Sequence, residues 1–244
     1  RLGLHHQQLL LSSGNLHNIV IGVIKQVENL RSAVAKNAIL TLGDLCQGVP
    51  KGMDSEVNGV SAALVKRYAD TSSFLGDSSE QALIQLIENL TPTRCLSALV
   101  TCHDNRNATV RGRVAGTIKE LLNRRGSELA QSRELDVLIG RLPKLLSDQS
   151  PECRAHARSV VRYLLENKEL GVRRDELERR IGAKEIEKSM RDSAFTMIGS
   201  GMRSPVRNMG AASPDTRAGR GGFSSSKKQS GSKTPLVSKS VNDV

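Results

Sequence analysis

Cys102 and His103 are neighbours, and a thiol beside an imidazole can be half of a metal site or a nucleophile with its base. The rest of the sequence does not complete either site. No second pair lies at metal-ligand spacing, and none of Cys46, Cys95, Cys102 and Cys153 forms a C-x-x-C pair. The expectation is a packed cysteine beside a surface histidine, with four buried free thiols of a reducing compartment. His5-His6 and His156 are likewise isolated. There is no G-x-S-x-G, no phosphate-binding glycine loop and no H-E-x-x-H. The reading is of a chain that is not an enzyme, holds no metal and uses no cofactor or small-molecule substrate.

Recognition groups are a better prospect. Polar breaks interrupt the apolar pattern at Asn29-Leu30-Arg31-Ser32, Thr71-Ser72-Ser73-Phe74, Asn105-Arg106-Asn107-Ala108-Thr109 and Ser150-Pro151-Glu152. Arg111 follows the third break and Arg154 the fourth. If these breaks line up, they make a row of arginines and small polar groups along one edge. Helix N-termini there add partial positive charge, which suits an acidic, folded protein surface. The alternative is local: Asn, Ser and Thr cap helices, while Arg111 and Arg154 bridge to neighbouring repeats. Both readings stand on the sequence.

The elements that must position these groups are helices. Leu16, Ile19, Val20, Val23, Ile24 and Val27 recur at helical spacing, and so do Val34, Ala35, Ala38, Ile39, Leu42, Leu45 and Cys46 after the break at 28–32. The same pairing returns as Val57–Tyr68 with Leu83–Leu90 after a break at 71–77, and as Leu96–Val100 with Val110–Leu122 after a break at 104–109. It returns again as Leu135–Leu146 with Cys153–Leu165. Pro92 and Pro151 suit first helical turns, and Pro143 should kink its helix. Ala38, Ala82, Val114 and Ala157 recur roughly every 40 residues, the HEAT/armadillo period. One hairpin cannot bury its apolar face, so neighbours must stack. The fold class is all-α, a solenoid of about four HEAT-type hairpins over 15–198, with one further helix over 173–191.

Residues 1–14 resemble the remnant of a preceding repeat, with 4–13 as its second helix, and a chain beginning at Arg1 is expected to be a fragment. Aromatics make up only 2% of the sequence, so the core must come from Leu, Ile, Val and Ala. No apolar run is long enough to span a membrane. Residues 199–244 are rich in Gly, Ser, Lys and Arg and are expected to be disordered. Residues 200–244 hold eight Lys/Arg and two Asp, so they carry +6 of the formal net +11. Such a tail would add salt-sensitive affinity for an acidic partner or serve as a linker. Phosphorylation at Ser204, Ser213 and Thr234, each followed by Pro, would cancel most of its charge. The scarcity of aromatics argues against nucleic acid as the partner, although Arg217-Ala-Gly-Arg220-Gly-Gly keeps RNA open.

The stretch 27–45 (VENLRSAVAKNAILTLGDL) resembles TOG domains of the crescerin/CLASP group. So do Met53-Asp54, Ser73-Phe74-Leu75, Asn89-Leu-Thr-Pro-Thr-Arg94 and Val110-Arg111, in order, from about residue 4 to about residue 165. The closest likeness is to ciliary crescerin-type domains. The resemblance implies a HEAT stack that binds αβ-tubulin or microtubules with its intra-repeat loops, in the cytoplasm and cytoskeleton, the cilium included. By position it puts tubulin contacts on Arg31, Ser32, Ser73, Phe74, Asn107, Arg111 and Arg154. The sequence departs from the family pattern in having no Trp, and in placing Gly76-Asp77 where basic character is expected. A HEAT scaffold for a different protein partner is the competing reading.

Overall fold

The computed structural model describes residues 14–70 and 72–199, with side chains to Arg191. Eleven helices run through them: α1 (Leu16–Val27), α2 (Ser32–Gly48), the single turn α3 (Pro50–Met53), α4 (Val57–Tyr68), α5 (Ser73–Asn89), α6 (Pro92–Cys102), α7 (Ala108–Arg125), α8 (Arg133–Leu146), α9 (Pro151–Glu166), α10 (Arg174–Ile181) and α11 (Ala183–Gly199). Short 3-10 turns follow α7 and α9. There is no strand among the described residues. The remnant expected over 1–14 falls outside them except for Gly14, and the tail expected from 199 falls outside them except for Gly199.

The helices form two layers. First helices of the hairpins pack in the order α1, α4, α6, α8, α10, and second helices in the order α2, α5, α7, α9, α11. The anchors Ala38, Ala82, Val114 and Ala157 are all buried at these contacts. Small residues let the axes approach: a Cβ at Gly43 on α2 would lie 3.3 Å from the Ala82 Cα on α5. The α2–α5 and α7–α9 contacts are extensive, whereas α5 and α7 meet less closely. A groove of about 560 Å³ opens between them, lined by Tyr68, Glu80, Arg113, Lys119, Glu152 and His156 among others. Arg113 stacks 4.7 Å from the Tyr68 ring centre there.

The structure departs from the sequence reading at three places. The break expected over 71–77 is mostly helix, because α5 begins at Ser73. Its buried face there is Leu75, Gly76, Ser78 and Ser79, too small and polar to register as an apolar stripe. The Ser78 hydroxyl is satisfied by donating to the Phe74 carbonyl at 3.1 Å. The single helix expected over 173–191 is two, parted at Gly182, whose φ of +85° suits glycine. Leu177 on α10 and Ile186 on α11 are fully buried, so these two helices make a fifth hairpin. The third departure is His103, expected at the surface, which is 2% exposed. Helix α8 runs through Pro143 to Leu146.

The connections between hairpins lie at the edge opposite the intra-hairpin turns and carry much of the family-like sequence. Asp54 accepts hydrogen bonds from the Thr91 N–H at 2.8 Å and the Thr91 hydroxyl at 2.6 Å, at the start of α6. Arg94 donates to the Asp54 carbonyl at 3.0 Å. Arg125 donates to the carbonyls of Ile87, Glu88 and Leu90, groups a helix end leaves without intrahelical partners. Met53-Asp54 and Asn89–Arg94 therefore hold successive hairpins in register. Replacing Asp54 with Ala is expected to cost about 1–2 kcal/mol through the lost charge-assisted hydrogen bonds, with an unchanged helical circular dichroism spectrum. An unaltered melting temperature would show the contact to be dispensable.

Candidate functional site

Each of the first four intra-hairpin turns is built the same way. An Asn or Asp side chain accepts a hydrogen bond from the N–H two residues on, and that second residue is the N-cap of the following helix. The pairs are Asn29 with Arg31 at 2.9 Å, Asp70 with Ser72 at 3.3 Å, Asn105 with Asn107 at 2.9 Å and Asp148 with Ser150 at 2.8 Å. Such a turn stabilises the chain reversal locally and pushes the residue between its two ends outward. Leu30 is fully exposed, and Arg106 and Gln149 are exposed in the same place. The N-cap then satisfies the new helix where its side chain allows: Asn107 accepts from Thr109 and Ser150 from Cys153.

The turns are tied to one another as well. Lys66 reaches Glu28 at 2.5 Å, and Arg67 donates to the Val27 carbonyl at 2.7 Å and to Asp70 at 2.9 Å, joining turns one and two. Arg111 grips Asp148 with two parallel bonds, Nε to Oδ2 at 2.6 Å and Nη2 to Oδ1 at 3.0 Å, joining turns three and four. Its remaining nitrogen donates to the Asn105 and Arg106 carbonyls. Arg154 occupies the equivalent place one repeat later and donates to the Asp148 and Gln149 carbonyls at 2.6 and 3.0 Å. Arg141 and Lys144 both pair with Asp104.

The seven residues singled out by resemblance thus fall into two groups. Arg31, Ser32, Ser73, Phe74 and Asn107 are exposed at the edge. Arg31 is the N-cap of α2 and Ser73 the first residue of α5. Phe74 keeps about half its surface in solvent, and the Lys36 ammonium sits 3.9 Å from its ring centre, a cation–π contact linking the first two hairpins. Arg111 and Arg154 are partly buried; all three nitrogens of Arg111 bond within the turns, and one nitrogen of Arg154 holds the fourth turn. They shape the edge from behind. Leu30 and Arg106 lie in breaks that the sequence placed at the edge but are not among the contacts implied by the resemblance, and sequence reasoning missed the role of Asp70 and Asp148. The available signal was the recurring Asx-x-N-cap triplet, easily passed over because its middle residue differs in every repeat.

Burial pushes the thiols of Cys46, Cys95 and Cys153 up to about 12, which keeps them protonated at neutral pH as long as no metal ion sits beside the sulfur. The one grouping among the described residues with metal-ligand character is His103, Asp148 and Cys153, whose donor atoms lie within 4.8 Å of one another. No helix among the described residues is long and apolar enough to cross a membrane.

Comparison with known proteins agrees with this architecture. The chain is 28% identical over 164 residues to TOG array regulator of axonemal microtubules protein 1 of Mus musculus, and 27% identical over 166 residues to Crescerin-like protein che-12 of Caenorhabditis elegans. Each match covers 66% of this chain but only 9% and 13% of those much longer proteins. Among solved structures, the MAST/Orbit N-terminal domain superposes with a TM-score of 0.58 at 19% identity, over 76% of this chain and 81% of that one. A structure from crescerin, described as using a TOG domain array to regulate microtubules in the primary cilium, superposes with a TM-score of 0.55 at 18% identity, over 70% and 76%. The model of the family described as CLASP N terminal matches residues 7–170, more than half of the sequence, and the chain belongs to that family.

Proposed function

We propose that this chain is a non-catalytic TOG-type module that binds tubulin through its intra-hairpin turns. The observation that carries the reading is Leu30, an apolar side chain held fully in solvent by the Asn29 turn and followed directly by the exposed Arg31. A leucine so placed contributes nothing to the core, and an apolar tip beside a cation suits the centre of a protein interface. Ser32, Ser73, Phe74 with Lys36, Arg106 and Asn107 extend the surface along the edge, and Arg111 and Arg154 keep its turns in shape. The edge carries free positive charge and four helix N-termini, which matches an acidic partner.

The mouse and nematode relatives support a place in the microtubule cytoskeleton, in the cytoplasm or the cilium. The basic stretch 200–244 would add a screened, non-specific attraction to the same acidic surface. Gel filtration of the full chain with purified αβ-tubulin, beside microtubule co-sedimentation, tests the proposal. Co-elution or co-pelleting that weakens with salt is the expected result. Absence of both at micromolar concentrations would leave a HEAT scaffold for some other protein.

A further inference from the structure

Behind the third and fourth turns lies a buried trio, His103, Asp148 and Cys153. His103 ends α6, Asp148 lies in the fourth turn and Cys153 is in the first turn of α9. Their exposures are 2%, 9% and 0%. The His103 Nε2 atom lies 3.4 Å from the Cys153 sulfur and 3.7 Å from Asp148 Oδ2. A tetrahedral zinc site with ordinary bond lengths places a sulfur and an imidazole nitrogen about 3.6 Å apart, and a nitrogen and a carboxylate oxygen about 3.4 Å apart. Both contacts of the ring nitrogen stand near these separations, and the Cys153 sulfur lies within 4.8 Å of an Asp148 carboxylate oxygen.

We propose that His103, Asp148 and Cys153 form a binding site for a zinc-type divalent cation linking the third and fourth turns. The donor set, one thiol, one imidazole and one carboxylate, selects zinc over the harder magnesium or calcium. Binding replaces the Cys153 S–H with a sulfur–metal bond and releases one proton to solvent, with no redox change. Arg111 stays in place as the partner that orients the ligating carboxylate, through Nε on Oδ2 and Nη2 on Oδ1. His103 and Asp148 also line an open groove of about 360 Å³ with Asn105 and Gln149. The fourth coordination position is therefore expected to take water or a donor from a molecule bound at the edge. The proposal does not depend on which partner the edge recognises.

The test uses the full chain, loaded with zinc or with cobalt(II) as a spectroscopic substitute and passed over a desalting column. About one equivalent of metal should be retained. The cobalt form should show an ultraviolet thiolate charge-transfer band and visible bands of tetrahedral strength. Cys153→Ser should abolish the charge-transfer band. It and His103→Gln should each weaken binding by at least the ~10–100-fold that loss of an outer partner costs. Circular dichroism of both variants checks folding, and zinc should raise the melting temperature of the parent chain but not of Cys153→Ser. Failure to retain metal, unchanged affinity in the folded Cys153→Ser variant, or cobalt bound without the thiolate band, as His5-His6 would hold it, each overturns the proposal.

Discussion

Arg111→Ala is expected to lower the melting temperature by about 10 °C. Asp148 keeps only 6% of its side chain exposed and Arg111 only 13%, so removing the guanidinium strands a buried carboxylate. Breaking such a pair costs about 3–5 kcal/mol, and in a domain of this size each kcal/mol is worth about 2–4 °C. The two carbonyls of the third turn lose their donor at the same time. Arg111→Lys should rescue little, because an ammonium cannot make two parallel bonds.

The same pair sets an acid response. Burial pushes the Asp148 carboxyl up, but the Arg111 hydrogen bonds, the Ser150 N–H and the nearby positive charge outweigh it, and the group sits below its ordinary value. Its contribution is thus complete above the unfolded value of about 3.9 and is lost as pH falls through the lower folded value. In Arg111→Ala the burial is opposed only by the Ser150 N–H and His103, so protonating Asp148 relieves the variant. The gap in melting temperature between parent and variant should be narrower at pH 4 than at pH 7. A loss below about 1 kcal/mol at pH 7 would mean that water replaces the guanidinium and that the pair is not a structural tie.

Arg31→Glu is expected to weaken tubulin binding by about 10- to 100-fold, or ~1–3 kcal/mol, while leaving the melting curve unchanged. Arg31 meets the fold through its backbone, which donates to Asn29, so its side chain can change sign without disturbing the turn. Phe74→Ala should act in the same direction with a smaller effect, since the ring is half exposed and already shares its face with Lys36. Arg154→Ala makes the contrast: its donors serve the fourth turn, so its first effect should be on stability. Retention of full affinity by Arg31→Glu, with an unchanged melt, would remove the first turn from the interface.

The helical repeat was legible because it depends on period alone. Val20 and Val27 are spaced for one face of α1, as Ile39 and Leu42 are for one face of α2, and a hairpin with one apolar face has to stack whatever its neighbours are. The anchor positions and the polar breaks followed from the same pattern. The missed helix start at Ser73 shows where that signal fails. The buried face of its first turns carries Gly76, Ser78 and Ser79 beside a single Leu75, and small residues carry no hydrophobic period. The break at Gly182 is hidden in a charged stretch that reads as one helix, and the burial of Leu177 and Ile186 on either side of it marks two.

The residue types of the edge, with its arginines, small polar groups and helix starts, were determined by the sequence alone. What each arginine does was decided by tertiary structure. Arg31 lies in one polar break and Arg111 closely follows another, yet the first is exposed and the second is held by an aspartate 37 residues away. The same holds for His103: its neighbour in sequence, Cys102, points elsewhere, and its partner in space is Cys153, fifty residues on. Successive residues on a helix point about 100° apart, so adjacency in the chain separates side chains that stacking of the next hairpin brings together.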